Sequence, residues 1–373
     1  MEIHAIYSPA TPPLPRRSIF QASLRNLDIA WDTAGILACL WWATQSVALV
    51  LANKAVFSQP LFDFPWLIIT IQCVVVVFAF SLVAIVRREQ PAINLSQVSN
   101  MLVPSILFLL YHYSNARSLR FISLPAFTVV KSLAPLGVTT VERIAFGNSI
   151  PTGVYAAMAL SLLANVFTFD SASAISETSL LGYAWSLFNV TTHIFYVLAL
   201  RYCSGSYKAT DKAFVANLLS IPIAFLFSIA NQEVTTFSHE ITLLPSVVRL
   251  PLILSFALSA GCLVSVLSAF EAASSDALRY LAQTNKIAIV LLGAAIFRTK
   301  FTPHAWFGVF LAVFSGFCFV YTKSHNSSLG IPRPIVSSPT LELLLPTEDC
   351  PVEENVSVSR KVTASQKFND TEI

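Results

Sequence analysis

The chain has 373 residues, of which 55% are hydrophobic and only 12% are charged, and its mean hydropathy is +0.67. Soluble domains carry about 25% charged residues, so this composition excludes a water-soluble enzyme, a disordered scaffold and a nucleic-acid-binding protein as descriptions of the whole chain. The net charge of +3 is too small to indicate a polyanionic partner. The composition indicates a protein that crosses a lipid bilayer several times.

Ten apolar segments of roughly 20 residues follow one another between residues 33 and 323. A helix of this length crosses a hydrocarbon core ~30 Å thick, whereas a spanning barrel would show alternating segments of ~10 residues. We therefore predict an all-α polytopic membrane protein with ten transmembrane helices. In chain order the segments are 33–56, 65–86, 100–117, 124–145, 151–169, 180–200, 211–230, 249–270, 275–297 and 302–322.

The two ends of the chain differ in composition from residues 33–323, which hold the ten segments. Residues 1–32 are rich in proline, and residues 324–373 combine five prolines with many Ser and Thr and both signs of charge. Because such sequence buries too little apolar surface to fold, we predict an N-terminal tail at 1–32 and a disordered C-terminal tail at 324–373. With the N-terminus in the cytosol, fifteen Lys and Arg residues fall on the cytosolic side, five on the opposite side and three within segments. This bias predicts that both termini are cytosolic.

Two stretches of the sequence match when one is shifted by 155 residues. Lys131 then falls on Lys286 and Arg143 on Arg298, and a proline opens the next segment in both copies. A repeat of five helices has an odd number of spans, so its second copy crosses the membrane in the opposite direction. Secondary transporters often consist of such inverted repeats, with the substrate site near the midplane between them. We predict two inverted five-helix repeats.

Two lysines lie well inside predicted segments, where a cation costs roughly 2.5–3.5 kcal/mol on insertion scales. Lys286 lies about twelve residues into the ninth segment and Lys131 about eight into the fourth, and neither has an acidic residue within one helical turn. Each must face water, a carboxylate of another helix or an anion. Acidic residues near the segments are few and lie close to segment ends, so the pattern favours an anionic solute. Lys54, near the end of the first segment, could instead extend to the membrane surface.

Amide side chains accompany the lysines. Asn285 precedes Lys286, Asn217 lies in the seventh segment, and Asn189 lies four residues before His193 in the sixth. Amides can recognise a base or a sugar, but intramembrane amides also hold helices together. The sequence leaves both roles open.

Several kinds of chemistry have no motif in this sequence. It contains no G-x-x-x-x-G-K-[ST] phosphate loop, no C-x-x-C pair, no H-E-x-x-H and no recognisable catalytic Ser, His and Asp order. We therefore predict no enzymatic activity, no metal site and no cofactor, and we expect any transport to be driven by a gradient or by exchange.

Several motifs are similar to those of nucleotide-sugar transporters and triose-phosphate translocators of the drug/metabolite transporter superfamily, and above all to Golgi GDP-mannose transporters. Those proteins carry Gly-Ala-Leu-Asn-Lys in the ninth helix, Phe-Tyr-Asn-Asn before a Pro-Ile in the seventh, and a Lys after an aromatic-Thr run in the fourth. The corresponding residues here are Ala282-Gln283-Thr284-Asn285-Lys286, Phe214-Val215-Ala216-Asn217 before Pro222-Ile223, and Phe127-Thr128-Val129-Val130-Lys131. The resemblance covers about residues 33–323.

The resemblance implies a role for each of five residues. Asn217 would contact the nucleobase, and Asn189 would contribute to the sugar pocket. The diphosphate and sugar would be held by Lys131, Asn285 and Lys286. The resemblance further implies a Golgi membrane protein that exchanges a nucleotide sugar for a nucleoside monophosphate, with a homodimer as one option for its assembly.

The sequence also departs from the family pattern. Val215 and Ala216 replace the Tyr and Asn that help to recognise guanine, Ala282 replaces a Gly, and Leu278 replaces a sugar-contacting Tyr. A site that lacks these hydrogen-bonding groups selects its original ligand poorly. The resemblance therefore supports the binding of an anion better than it supports the recognition of guanine. Two alternatives stay open: a sugar-phosphate or triose-phosphate translocator, and a non-transporting paralogue that acts as a scaffold.

Overall fold

A computed structural model describes residues 33–59, 63–88, 95–146, 151–170, 177–203, 207, 209–241, 246–272, 275–298 and 302–328. Within these ranges the chain is helical and no strand is present. In chain order the helices are α1 Thr33–Phe57, α2 Pro65–Arg87, α3 Leu95–Phe121, α4 Leu124–Lys131, α5 Ala134–Phe146, α6 Thr152–Asp170, α7 Glu177–Tyr202, α8 Ala209–Ala230, α9 Glu233–Glu240, α10 Ser246–Ala272, α11 Ser275–Ile296 and α12 Pro303–Ser328. The all-α prediction is confirmed.

The helices follow the predicted segments with two differences. The fourth segment is divided into α4 and α5, and a short helix that was not predicted, α9, follows the seventh segment. The last helix continues to Ser328, beyond the predicted start of the C-terminal tail at 324. The predicted tail 1–32 and residues 329–373 lie outside the described residues.

Six stretches of the described residues are both long and apolar enough to cross a membrane: Gly35–Phe57, Pro65–Arg87, Leu124–Ala145, Thr210–Ala230, Val248–Val266 and Pro303–Thr322. Two shorter apolar stretches, Thr152–Phe167 and Leu281–Ile296, lie in α6 and α11. Helices α3 and α7 are also long, but they are not among these apolar stretches, because each carries several Ser, Thr, Asn, Arg or His residues.

Apolar side chains cover the outside of the molecule, and many polar side chains are buried. Phe78 is 69% exposed, Leu226 66% and Phe310 65%, whereas Gln97, Asn189 and Gln283 are fully buried. A soluble protein shows the opposite arrangement for most of its polar side chains. An apolar exterior over a partly polar interior is typical of a helical membrane protein.

The helices pack in a small number of close pairs. The most extensive contacts join α6 with α12, α3 with α7, α1 with α10, and α2 with α8. Further pairs join α3 with α8, α2 with α10, α1 and α4 with α11, α5 with α7, α4 with α6, and α11 with α12. Helices α1, α2, α3, α8 and α10 thereby surround a space that is closed from the side by α4 and α7.

Candidate functional site

A cavity of about 150 Å³ lies between α1, α2, α3, α4, α7, α8 and α10. Apolar and aromatic side chains make up much of its wall, and four amides, several hydroxyl groups and one imidazole interrupt them. Lys131 is the one lining residue that belongs to the charged types Lys, Arg, Asp and Glu. The cavity is thus suited to a ligand that brings negative charge and several hydrogen-bonding groups.

Lys131 lies at a break in the membrane-crossing stretch Leu124–Ala145. Helix α4 ends at Lys131, and α5 begins at Ala134. The residue four positions after Lys131 is Pro135, which has no N–H to donate to the Lys131 carbonyl. The Ser132 hydroxyl donates to the Val129 carbonyl at 2.6 Å and lies 2.8 Å from the Ser161 hydroxyl. The proline therefore ends the helix, and the serine attaches the break to α6.

Tyr111 connects the lysine to the rest of the site. The Lys131 Nζ donates to the Tyr111 hydroxyl at 2.9 Å and lies 4.9 Å from the centre of the Phe127 ring. The Tyr111 ring also lies 4.9 Å from the His193 ring, centre to centre. Tyr111 thus contacts both Lys131 and His193.

Of the predicted binding residues, Lys131 and Asn217 line the cavity. The Asn217 side-chain N–H donates to the Ala213 carbonyl of its own helix at 2.8 Å. Asn189 is fully buried behind the cavity wall, and its amide donates to the Tyr111 carbonyl at 2.8 Å and to the Ser114 hydroxyl at 3.0 Å. Its amide group thus joins α7 to α3 in this conformation.

Asn285 and Lys286 are buried on α11 and are not among the residues that line the cavity. The same helix presents Gln283 to α12, where a Cβ added to Gly316 would collide with the Gln283 side chain. Leu278, which takes the place of a family tyrosine, is fully buried against Trp42 and other apolar residues. Two predicted binding residues therefore line the cavity, and the other three do not.

Three of the side chains that line the cavity are amides that were not predicted as binding residues. Asn53 Oδ1 accepts hydrogen bonds from Gln72 Nε2 at 3.1 Å and from the Ser255 hydroxyl at 2.8 Å, and Gln72 Nε2 also contacts Ser255 Oγ at 2.7 Å. These bonds join α1, α2 and α10. The third amide, Asn115, lies one turn after His112 on α3, and both line the cavity. The spacing of His112 and Asn115 could have been recognised in the sequence, because residues three positions apart lie on the same face of a helix.

Lys54 does not line the cavity, and its side chain is buried. Its Nζ donates to the carbonyls of Leu119 and Ile122, at 2.5 and 2.8 Å. These carbonyls lie at the C-terminal end of α3, where helical carbonyls lack partners and the helix dipole favours a cation. Lys54 therefore acts as a cap that joins α1 to α3.

A buried carboxyl group outside the membrane-crossing stretches contacts the start of α2. The Leu67 N–H donates to Glu233 Oε2 at 2.8 Å, and Leu67 is the third residue of that helix. Burial raises the pKa of Glu233 to about 7, and the negative charge of Asp63 raises it further, whereas the N–H groups of Leu67 and Trp66 and the charge of Arg117 oppose the shift. The short helix α9 is thus attached to α2 by a group that titrates near neutral pH.

Ion pairs lie at both ends of the bundle. At the end that carries α9, Asp63 pairs with Arg117 at 2.9 Å and with Arg120 at 2.5 Å. At the other end Arg201 of α7 pairs with Glu142 of α5. No group of three or more metal-binding side chains occurs in the described part of the chain.

Comparison with known proteins gives relatives over most of the chain. No protein-family model matches the sequence. A GDP-mannose transporter of Schizosaccharomyces pombe is 23% identical over 314 residues, which cover 81% of this chain and 90% of the relative. GDP-mannose transporters of Eremothecium gossypii and Botryotinia fuckeliana are 24% and 25% identical, and the matches cover 79% and 85% of this chain and 94% and 89% of the relatives. One solved structure, whose name gives no function, matches with 15% identity and a TM-score of 0.42. The match covers 78% of this chain and 97% of the chain in that structure.

Proposed function

Because GDP-mannose transporters 23% and 24% identical to this chain match it over about 80% of its length, we propose that it belongs to the nucleotide-sugar transporter family and is a secondary transporter that exchanges a nucleotide sugar for a nucleoside monophosphate across the Golgi membrane. The observation that carries the proposal is the position of Lys131, a buried cation in the wall of an interior cavity that is otherwise lined by uncharged polar and apolar groups. A diphosphate supplies the charge that this wall lacks. The same ammonium can bind the phosphate of the exchanged monophosphate.

The pattern of helix packing supports two repeats of five crossings. If α1, α2, α3, α4–α5 and α6 correspond to α7, α8, α10, α11 and α12, most close pairs have a counterpart. The pair α3 with α7 corresponds to α10 with α1, the pair α3 with α8 to α10 with α2, and the pair α4 with α6 to α11 with α12. The pairs α6 with α12, α2 with α8, and α4 with α11 correspond to themselves, as a two-fold axis requires.

We also propose that α3 and α7 cross the membrane, which brings the crossings to ten and leaves both termini in the cytosol. Their polar residues do not contradict this assignment, because many of them are buried against each other. Asn189 of α7 contacts Ser114 of α3, and Thr192 lies 3.5 Å from the same Ser114 hydroxyl. A hydropathy average counts such groups as though they faced lipid.

Contacts between the two halves at opposite ends of the bundle support alternating access. At the end carrying α9, which is lumenal in the proposed topology, Trp66 of α2 stacks on Phe227 of α8 with ring centres 4.7 Å apart. At the cytosolic end the pair of Glu142 and Arg201 joins α5 to α7. In our proposal one set of contacts opens while the other stays closed. Asn285 and Lys286 reach the phosphates only after α11 has moved, and an anion lowers the barrier by neutralising the buried cations.

The cavity volume favours one second candidate. Ligand pockets usually enclose about 300–1,000 Å³, and the cavity here, at about 150 Å³, is closer to the size of a small phosphorylated sugar. A sugar-phosphate translocator therefore remains the alternative function, and it would use the same lysine. A nucleotide sugar requires the cavity to open further.

The decisive experiment measures uptake of labelled nucleotide sugars into proteoliposomes that contain the purified protein. GDP-mannose, UDP-galactose, CMP-sialic acid and triose phosphate are tested, with and without an internal monophosphate. We expect uptake of one nucleotide sugar, accelerated by the monophosphate of the same base. Uptake of triose phosphate alone would support the translocator, and no uptake of any solute would contradict both.

A further inference from the structure

We propose that Asn53, Gln72, His112 and Asn115 form the subsite that recognises the sugar hydroxyl groups of the transported nucleotide sugar. This inference rests on the proposed function. It places the sugar against α1, α2 and α3, a part of the cavity wall that contains none of the binding residues predicted from the sequence. All four side chains line the cavity.

The four side chains have unused hydrogen-bonding atoms. The bonds among Asn53, Gln72 and Ser255 use Asn53 Oδ1 and Gln72 Nε2, so Asn53 Nδ2 and Gln72 Oε1 have no partner in the described part of the chain. His112 Nε2 and Asn115 Oδ1 are buried and likewise unpartnered among the described residues. A buried polar atom without a partner is destabilising. Two buried atoms without partners, in a cavity whose lining also carries two unused amide atoms, indicate that a ligand provides their partners.

The chemistry of these atoms favours hydroxyl groups over phosphate. Asn53 Nδ2 is a donor, and Gln72 Oε1 and Asn115 Oδ1 are acceptors, while the His112 nitrogen can be either. A phosphate oxygen only accepts hydrogen bonds, so the two acceptors would oppose it. A sugar hydroxyl donates and accepts at once and can pair with every member of the set.

Gln72 and Asn217, the residue that the resemblance assigns to the base, lie at different heights along the neighbouring helices α2 and α8. Helices α2 and α8 run side by side with Trp66 against Phe227 and Phe80 against Phe214. In this antiparallel register the residue opposite Asn217 lies about one helical turn from Gln72, a distance of roughly 6 Å along the axis. One ligand can therefore place its base near Asn217 and its sugar near Gln72, with its phosphates at Lys131.

The test compares two ligands that share a base and differ in the sugar. Thermal stabilisation of the full-length protein in detergent is titrated with GDP-mannose and GMP, and with UDP-galactose and UMP. The variants are Asn115→Ala and Gln72→Leu. The matched control is Asn165→Ala, because Asn165 lies on α6, does not line the cavity, and donates to the Ser161 carbonyl of its own helix at 2.8 Å and to the Val129 carbonyl of α4 at 3.5 Å. We expect both variants to weaken nucleotide-sugar binding by roughly fivefold to tenfold and monophosphate binding by less than about twofold, and we expect no change for the control.

The outcomes separate this inference from the proposed function. If wild-type protein binds a nucleotide sugar and its monophosphate, and the variants weaken both equally or neither, the sugar subsite is wrong while the transporter assignment stands. If wild-type protein binds only triose phosphate, or no phosphorylated ligand at all, the proposed function fails and the subsite fails with it. If Gln72→Leu does not fold because it breaks the contact with Asn53, Asn115→Ala still decides, since no hydrogen bond of the Asn115 side chain to another described residue is present.

Discussion

The Lys131 ammonium group donates a hydrogen bond of 2.9 Å to the Tyr111 hydroxyl and lies 5.1 Å from the centre of the same ring. Tyr111 in turn accepts a hydrogen bond at its carbonyl from Asn189. The tyrosine therefore holds the cation at the cavity wall, while its own position is set by α7. Neutral aromatic groups stabilise a buried ammonium only in part, so the charge remains available to an anion.

Replacement of Lys131 by Gln should weaken the binding of a phosphorylated ligand. We expect Lys131→Gln to weaken nucleotide binding at least about tenfold, because hydrogen bonds to charged groups contribute roughly 1.5–3 kcal/mol. Tyr111→Phe retains the ring and the lysine and should weaken binding less. Ligand-induced shifts in melting temperature measure both effects. Wild-type affinity in Lys131→Gln would show that the lysine does not bind the phosphates.

Replacement of Lys54 should affect stability without affecting ligand selectivity. Lys54→Met leaves the carbonyls of Leu119 and Ile122 without their donor. We expect a loss of about 2 kcal/mol in the free energy of unfolding and unchanged ratios of affinity among nucleotides. Melting curves in detergent, with and without ligand, test this. A variant as stable as the wild type that binds nucleotide poorly would instead place Lys54 in the binding site.

Replacement of Pro135 tests whether the break after Lys131 serves transport. Pro135→Ala provides an N–H that can donate to the Lys131 carbonyl, so α4 and α5 can form one continuous helix. We expect a higher melting temperature and an uptake rate lower by about threefold or more, since discontinuous helices carry the sites of many transporters. Pro251→Ala, near the start of α10, is the control. Faster uptake in Pro135→Ala would contradict a role for the break.

The contact between Glu233 and α2 should make stability depend on pH. Because the pKa of Glu233 is raised from 4.5 to about 7, the folded protein holds more protons than the unfolded chain between these pH values. The contribution of this group to the free energy of unfolding is therefore full below pH 4.5 and falls as the pH rises toward 7. Glu233→Gln removes this contribution and keeps an oxygen for the Leu67 N–H.

Melting temperatures of wild type and Glu233→Gln, measured from about pH 5 to about pH 8, test this prediction. The variant should gain stability relative to the wild type as the pH rises, and the difference should level off above about pH 7. Parallel curves across the whole range would show that Glu233 has no shifted pKa in the folded protein.

The positions of the helices could be predicted from the sequence because each helix satisfies its own backbone hydrogen bonds and its length must match the bilayer. Leu124–Ala145 was predicted as one segment, and its division followed from a local cause, Pro135, that was visible in the sequence. Helix α9 was missed because Glu233–Glu240 is neither apolar nor long, and its position depends on the contact of Glu233 with α2.

The sequence by itself determined that this is a helical membrane protein with lysines in its interior, because hydropathy and charge are properties of single segments. Only the tertiary structure decided which polar groups meet. Lys131 reaches the cavity while Lys286 does not line it, and Lys54 ends at helical carbonyls. Asn53 and Ser255 are 202 residues apart in the chain and 2.8 Å apart in space. Such contacts depend on how helices rotate and pair, and no local pattern encodes that choice.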